Sequence, residues 1–302
     1  MSARLPFDGL TAIVTGAGGG LGRAHAVLLG QLGASVVVND LGVGIDGTGS
    51  TGTPAHETCA LIEQAGGRAV ADGSDIASEA GAATVVQTAL DAFGRIDAVV
   101  NNAGIDSDDA FEDITFAQFR RSWEVNAGGT FLVTRAAWPH LIASGHGRVV
   151  MTSSSTGVYG ALRRAHYASA KGAVFGLMRG AALDGEAVGI KVNGLAPVAY
   201  TRLAETFAPD ASRKRLEAGY PAALVAPLVA WLSHPGCDVT GRLFTAGGGR
   251  VAEIFVAETQ GHRPSPLTVD EIGARIAQIT DRDGAFVPVE SNAAVAQGAT
   301  SV

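Results

Sequence analysis

Short apolar runs recur along the first 250 positions, at 12–15, 35–39, 68–72, 98–101, 149–152, 190–195 and 243–246. They are rich in Val and Ile and continuous rather than alternating, as strands covered on both faces require. Between them the apolar residues return at three- and four-residue spacing. Over 78–93, Val85, Val86, Ala89, Leu90 and Phe93 form one helical stripe, and Gly94 supplies its stop. Strand and helix in alternation predict an α/β fold, a doubly wound parallel sheet of about seven strands over residues 1–250. Residues 251–302 read as a C-terminal extension that packs on the core or on a partner subunit. It offers a strand at 251–257, an amphipathic helix at 269–279 and a frayed end at 291–302. The 41–53 segment holds five Gly and no periodicity, so it reads as a long loop, functional or mobile.

Composition narrows the class. Hydrophobic residues make up 47% of the chain and charged ones 17%, enough apolar material for a core and too little charge for a self-repelling coil. A net charge of −7 gives no general attraction to nucleic acid. No apolar stretch is long enough for a membrane helix. Cys59 and Cys237 match neither a zinc spacing nor a disulfide framework, and no metal is expected. The start (MSARLPFDGL) has no signal-like apolar region and the end (GATSV) is no peroxisomal address, so the expectation is cytoplasmic.

The first strand runs into Thr15-Gly16-Ala17-Gly18-Gly19-Gly20-Leu21-Gly22, which opens a helical pattern. A glycine turn between strand and helix lets backbone amides approach a pyrophosphate that a Cβ would hold off. The second strand ends at Asn39-Asp40. An acid there accepts from the adenosine ribose hydroxyls and repels a 2′-phosphate. No Arg or Lys stands between Asp40 and Arg68. Both facts favour NAD over NADP.

The other end of the site is marked by Tyr167 and Lys171, one helical turn apart. With four Tyr and only three Lys (Lys171, Lys191, Lys214) in the chain, chance supplies about 0.04 such pairs. Tyr is a weak acid at neutral pH, and a neighbouring ammonium and an oxidised nicotinamide ring both favour its phenolate. Ser154, or its neighbour Ser155, ends the fifth strand and can hold a substrate oxygen beside the phenol. Ser154 begins a Ser-x-x-Gly spacing. Asn-Asn-Ala-Gly at 101–104 closes the fourth strand, and Asn126 follows in a long helical stretch.

Together these stretches resemble the short-chain dehydrogenase/reductases, whose fold is Rossmann-type. The likeness runs over about 250 residues. It rests on Thr15-Gly16-x-x-x-Gly20-x-Gly22, the 101–104 run, and Asn126, Ser154, Tyr167 and Lys171 at the family's four catalytic positions. A closer likeness, to the (3R)-hydroxyacyl-CoA dehydrogenase domain of peroxisomal multifunctional enzymes, is carried by 36–42 (VVVNDLG), 88–104 (TALDAFGRIDAVVNNAG), 133–138 (VTRAAW), 150–154 (VMTSS) and 225–232 (VAPLVAWL). The 195–201 segment departs from the family in lacking Pro-Gly.

The resemblance implies NAD contacts from Gly16, Gly19, Gly20, Leu21 and Gly22, from Asp40 and Leu41, and from Asp75 and Ile76 at the adenine. It implies further contacts from Asn102, Ala103 and Gly104, from Tyr167 and Lys171, and from Pro197 and Thr201. It implies that Tyr167 exchanges the hydroxyl proton, Ser154 binds the substrate oxygen, Lys171 acidifies Tyr167 and holds the nicotinamide ribose, and Asn126 positions a water. The expected substrate is a 3-hydroxyacyl-CoA ester, with Arg163, Arg164, Arg202 and the 213–215 cluster as candidate cations for CoA. Alternatives are a hydroxysteroid or other bulky secondary alcohol, NADPH-dependent oxoacyl reduction, which Asp40 disfavours, and a nucleotide-sensing binding protein, which the intact tetrad disfavours. The family's habit implies a homodimer or homotetramer.

Overall fold

The computed structural model describes residues 6–44, 48–49, 53–201, 205, 210–263 and 267–291. The chain divides into two compact units, Met1–Glu253 and Ile254–Val302.

In the first unit an eight-stranded sheet has the order β3-β2-β1-β4-β5-β6-β7-β8. The strands are β1 (Thr11–Thr15), β2 (Ser35–Asn39), β3 (Arg68–Asp72), β4 (Ala98–Asn101), β5 (Arg148–Thr152), β6 (Lys191–Pro197), β7 (Leu243–Gly247) and β8 (Arg250–Ile254). All pairings from β3 through to β7 are parallel. Only Gly248 and Gly249 separate β7 from β8, both at positive φ (58° and 79°), a two-residue hairpin turn that makes β8 antiparallel. The seven strands expected over residues 1–250 are thus β1 to β7, and β8 overlaps the strand expected at 251–257.

Helices α1 (Gly20–Gln31), α2 (Thr53–Gln64), α3 (Glu79–Phe93), α4 (Phe116–Trp123), α5 (Gly129–Ser144), α6 (Ser155–Tyr159), α7 (Ala165–Glu186), α8 (Asp210–Gly219) and α9 (Ala226–Ser233) connect the strands. Alternate strand residues face opposite layers. Val14, Val36, Val38, Val100 and Val150 join Leu29 of α1, Ile62 of α2 and Val229 and Leu232 of α9 in one fully buried cluster. Ile13, Val37, Val99 and Val149, equally buried, alternate with them along the strands, on the face that α3, α5 and α7 cover. Each such side chain contributes roughly 1.5–3 kcal/mol by leaving water.

The caps follow the chemistry. Ser78 accepts from Gly81 N to start α3, and Gly94 ends it at φ 74°. Residues 124–128 form a π-turn between α4 and α5, the kind of local widening that often marks a functional site.

The sheet order reverses between β1 and β4. Ligands of open α/β sheets bind in the crevice above such a point, at the carboxyl ends of the strands. A Cβ at Gly16, just past β1, would stand 2.7 Å from Ala103 Cα, just past β4. In the second unit, α10 (Val269–Ile279) is capped by Thr268, which accepts from Glu271 N, and residues 258 and 286 form an antiparallel bridge. Apart from Ser291, the frayed-end expectation falls outside the described residues, as do the Arg202 candidate and the middle of the 41–53 loop.

Candidate active site

A cavity of about 420 Å3 opens at the switch point. At one end, α1 starts at Gly19 with no side-chain cap, so its first amides remain available to an anion. Gly19 has open space where a Cβ would stand, and Gly20 takes φ +52°. Gly22 does not line the cavity, but its Cβ would meet Gly16 O at 2.1 Å, so it sets the tightness of the turn. Asp40 closes this end. Its Oδ2 accepts from Gly18 N at 2.7 Å and its Oδ1 from Gly42 N at 2.8 Å. Leu41, Asp75 and Ile76 line the same end. The Asn102 side chain donates to Thr15 O and Gly16 O, both at 3.1 Å, while the Thr15 hydroxyl accepts from the amides of Asn102 and Ala103. That cross-brace fixes the glycine turn against Ala103 and Gly104. Pro197, the last residue of β6, and Thr201 beyond it also line the cavity. Bare amides at a helix start, a carboxylate at the end of β2 and glycines where side chains would intrude fit a dinucleotide.

At the other end α7 brings up Tyr167 and Lys171. Lys171 is 3% exposed, and its Nζ donates to Thr152 O at 2.8 Å and lies 5.7 Å from the centroid of the Tyr167 ring. Burial pulls its ammonium down to about 8, with the Asp106 carboxylate opposing. Ser154 lines the cavity together with Tyr167, and its side chain favours the phenolate. Ser154 caps α6, accepting from Thr156 N at 3.1 Å. Gly157, which completes the Ser-x-x-Gly spacing, packs against α7: a Cβ there would stand 2.6 Å from the Lys171 carbonyl carbon. Asn126 sits in the π-turn behind Gly104. Its Nδ2 donates to Ile105 O and Ser122 O, both at 2.9 Å, and leaves Oδ1 buried without a partner. A Cβ on Gly104 would come within 2.5 Å of that Oδ1 and 3.3 Å of Lys171 Nζ, so only Gly leaves the pocket between them open.

One electrostatic expectation does not hold in this arrangement. Burial and then the Asp106 carboxylate push the Tyr167 phenol above its usual value, while the Ser154 hydrogen bond and Arg164 act the other way. Lys171 gives one of its three N–H donors to the Thr152 carbonyl. As built, Tyr167 is a protonated donor.

Asp106 was not singled out from the sequence, although it lines the cavity with Tyr167 and Lys171. It is 4% exposed and ion-paired with Arg164. Burial pushes its carboxyl up to about 6, against the pull of Arg164. Arg163 is paired in turn with Asp108. The two arginines proposed for CoA are therefore each committed to a carboxylate. Gly18 and Thr15 were also missed as braces. Their signal was present in the glycine motif itself, whereas Asp106 and Arg164 lie 58 residues apart and no spacing announces their pairing.

The profile of the short chain dehydrogenase family matches residues 10–211. The chain is 41% identical to peroxisomal multifunctional enzyme type 2 of Mus musculus over 95% of its own length, and spans 39% of that longer protein. It is also 41% identical to a short-chain type dehydrogenase/reductase of Mycobacterium tuberculosis, covering 91% of this chain and 95% of that one. Among solved structures it resembles 7α-hydroxysteroid dehydrogenase complexed with NADH and 7-oxo glycochenodeoxycholic acid. That match has a TM-score of 0.74 and 30% identity, and covers 82% of this chain and 97% of that one. Sheet order, site and sequence agree: the chain belongs to the short chain dehydrogenase family of oxidoreductases.

Proposed function

We propose that the chain interconverts a secondary alcohol and its ketone with NAD, acting on 3-hydroxyacyl-CoA esters. The observation that carries the reading is the convergence of Tyr167, Ser154 and Lys171 at one end of a cavity whose far end is the Asp40 carboxylate. The α1 amides and Gly104 would hold the dinucleotide, with Asp40 on the adenosine ribose and Lys171 on the nicotinamide ribose. When bound, it supplies the hydride acceptor or donor for the carbinol carbon. In reduction the Tyr167 hydroxyl gives its proton to the carbonyl oxygen, and in oxidation its phenolate form takes the proton of the alcohol. Ser154 donates to the substrate oxygen as charge builds on it. The buried Asn126 Oδ1 suits a water that links Lys171 to solvent. A carboxylate already held by two backbone amides cannot turn away from a 2′-phosphate, which favours NAD over NADP.

The acyl-CoA choice is supported by the likeness to the multifunctional enzymes. It is supported too by α8, where Leu216 lines the cavity while Lys214 and Arg215 are exposed beside it. A second reading, a hydroxysteroid or other bulky uncharged alcohol, is favoured by the pairing of Arg163 and Arg164 with acids, which removes two cations from CoA's reach. The deciding experiment compares initial rates on a 3-hydroxyacyl-CoA ester and a hydroxysteroid, each with NAD+ and NADP+. A higher kcat/KM for the thioester with NAD+ supports the first reading. A preference for the steroid moves the substrate to the second, and a preference for NADP+ overturns the role of Asp40.

A further inference from the structure

The acid loop at 106–109 is fastened to the start of α7 at several points. Asp106 pairs with Arg164 and Asp108 with Arg163. Asp109 N donates to Arg163 O at 3.0 Å, and the Ser107 hydroxyl lies 2.9 Å from His166 Nε2. Arg163 holds φ +62°, the only positive φ at a non-glycine among the described residues. A long side chain in the left-handed region costs energy and persists only where its surroundings over-determine it. The strained residue stands four positions before Tyr167. Inside this latch the two pairs differ. Arg163 and Asp108 are half-exposed, with 49% and 38% of their side chains accessible, whereas Asp106 and Arg164 keep 2% and 18%. Exposed pairs contribute little, but a buried pair facing a reaction cavity acts at low dielectric.

We infer that the Asp106–Arg164 pair is a positioning element of the reaction centre: it fixes the Tyr167 hydroxyl beside Ser154 and biases the proton that hydroxyl carries. This rests on the reading of Tyr167 as the proton-exchanging group. The charges facing Tyr167 have opposite effects. Arg164, at the start of its own helix, favours the phenolate, and Asp106, from the loop after β4, opposes it. Lys171 and His166 on α7, Asp108 and Asp109 on the loop, and Arg121 of α4 on the cavity wall complete the ionisable surroundings. Burial pushes the Asp106 carboxyl to about 6, so above that pH it is ionised and the opposition is present.

The test is a pH series of kcat/KM for alcohol oxidation on Asp106→Asn, Arg164→Gln and Arg164→Lys. It is paired with near-ultraviolet titration of the Tyr167 phenolate without dinucleotide, read against Tyr167→Phe. Asp106→Asn should move both midpoints down by about one pH unit and Arg164→Gln should move them up by about as much. Arg164→Lys should restore the original midpoint. Should a lone buried charge prevent folding of a single variant, Asp106→Asn/Arg164→Gln leaves none, and its midpoint should fall between those displacements, near the original. Unmoved midpoints in the single variants, with lower rates at every pH, would reduce the pair to a structural brace and overturn the inference, as would a displaced midpoint in the double variant, while Tyr167→Phe still lost turnover. Full turnover by Tyr167→Phe would instead overturn the reading beneath it.

Discussion

Asp40 Oδ2 accepts from Gly18 N at 2.7 Å, joining the end of β2 to the glycine turn after β1. The carboxylate therefore shapes the glycine turn as well as lining the cavity. Asp40→Ala should lose in two ways. Discrimination against NADP+ should fall by tenfold or more, as one lost charge-assisted contact of about 1.5–3 kcal/mol implies. Affinity for NAD+ should fall as well, because the turn loses its brace. Asp40→Asn keeps a carbonyl acceptor for Gly18 and should retain the turn while losing the charge. Dissociation constants for both dinucleotides, measured by fluorescence titration, separate the two effects.

Gly157 is the contact point between α6 and α7. A methyl group there would press on Lys171 backbone at 2.6 Å, and backbone cannot rotate away. Gly157→Ala should cost about 1–3 kcal/mol of stability and lower kcat, because Ser154 and Tyr167 sit on the two elements pushed apart. Gly19→Ala, with open space at its Cβ, should leave stability nearly unchanged but weaken dinucleotide binding. Thermal midpoints and dinucleotide titration of the two variants check the contrast.

His25 of α1 is fully buried with neither ring nitrogen hydrogen-bonded, and burial pulls it down to about 3 from its usual 6.5. The unfolded chain takes up this proton near pH 6.5 and the folded chain does not until about 3. The stability held by neutral His25 is thus complete above 6.5 and is lost as pH falls from 6.5 towards 3. His25→Leu removes that proton. Between those limits its stability should decline less steeply than the wild type's, by up to about 1.4 kcal/mol per pH unit. Urea midpoints at pH 7 and pH 5 test this. Parallel declines in the two chains would contradict it.

The strands were legible because buried parallel strands are written as unbroken Val and Ile runs, and β2 and β4 fall where those runs lie. Helix α3 was legible through its stripe and its caps. Edges were less so. Ile190 reads as strand but spends its N–H on Gly185 O to finish α7, and β6 runs on to Pro197 because a proline can end a ladder. The π-turn at Asn126 leaves no trace in the spacing, since one extra residue per turn resembles ordinary helix. The four candidate chemical residues were legible by type and interval. Their electrostatics were not. Burial depth and the Asp106–Arg164 pair decide which way the phenol shifts, and both arise only when distant segments meet.

The account turns on Tyr167 exchanging the substrate proton. The direct measurement is NADH formation from NAD+ and a 3-hydroxyacyl-CoA ester by the wild type and by Tyr167→Phe, with NADH affinity measured for both. The account predicts turnover by the wild type, a loss of roughly 10²–10⁴-fold in kcat on removing the hydroxyl, and unchanged affinity. Equal turnover by the two proteins would contradict it.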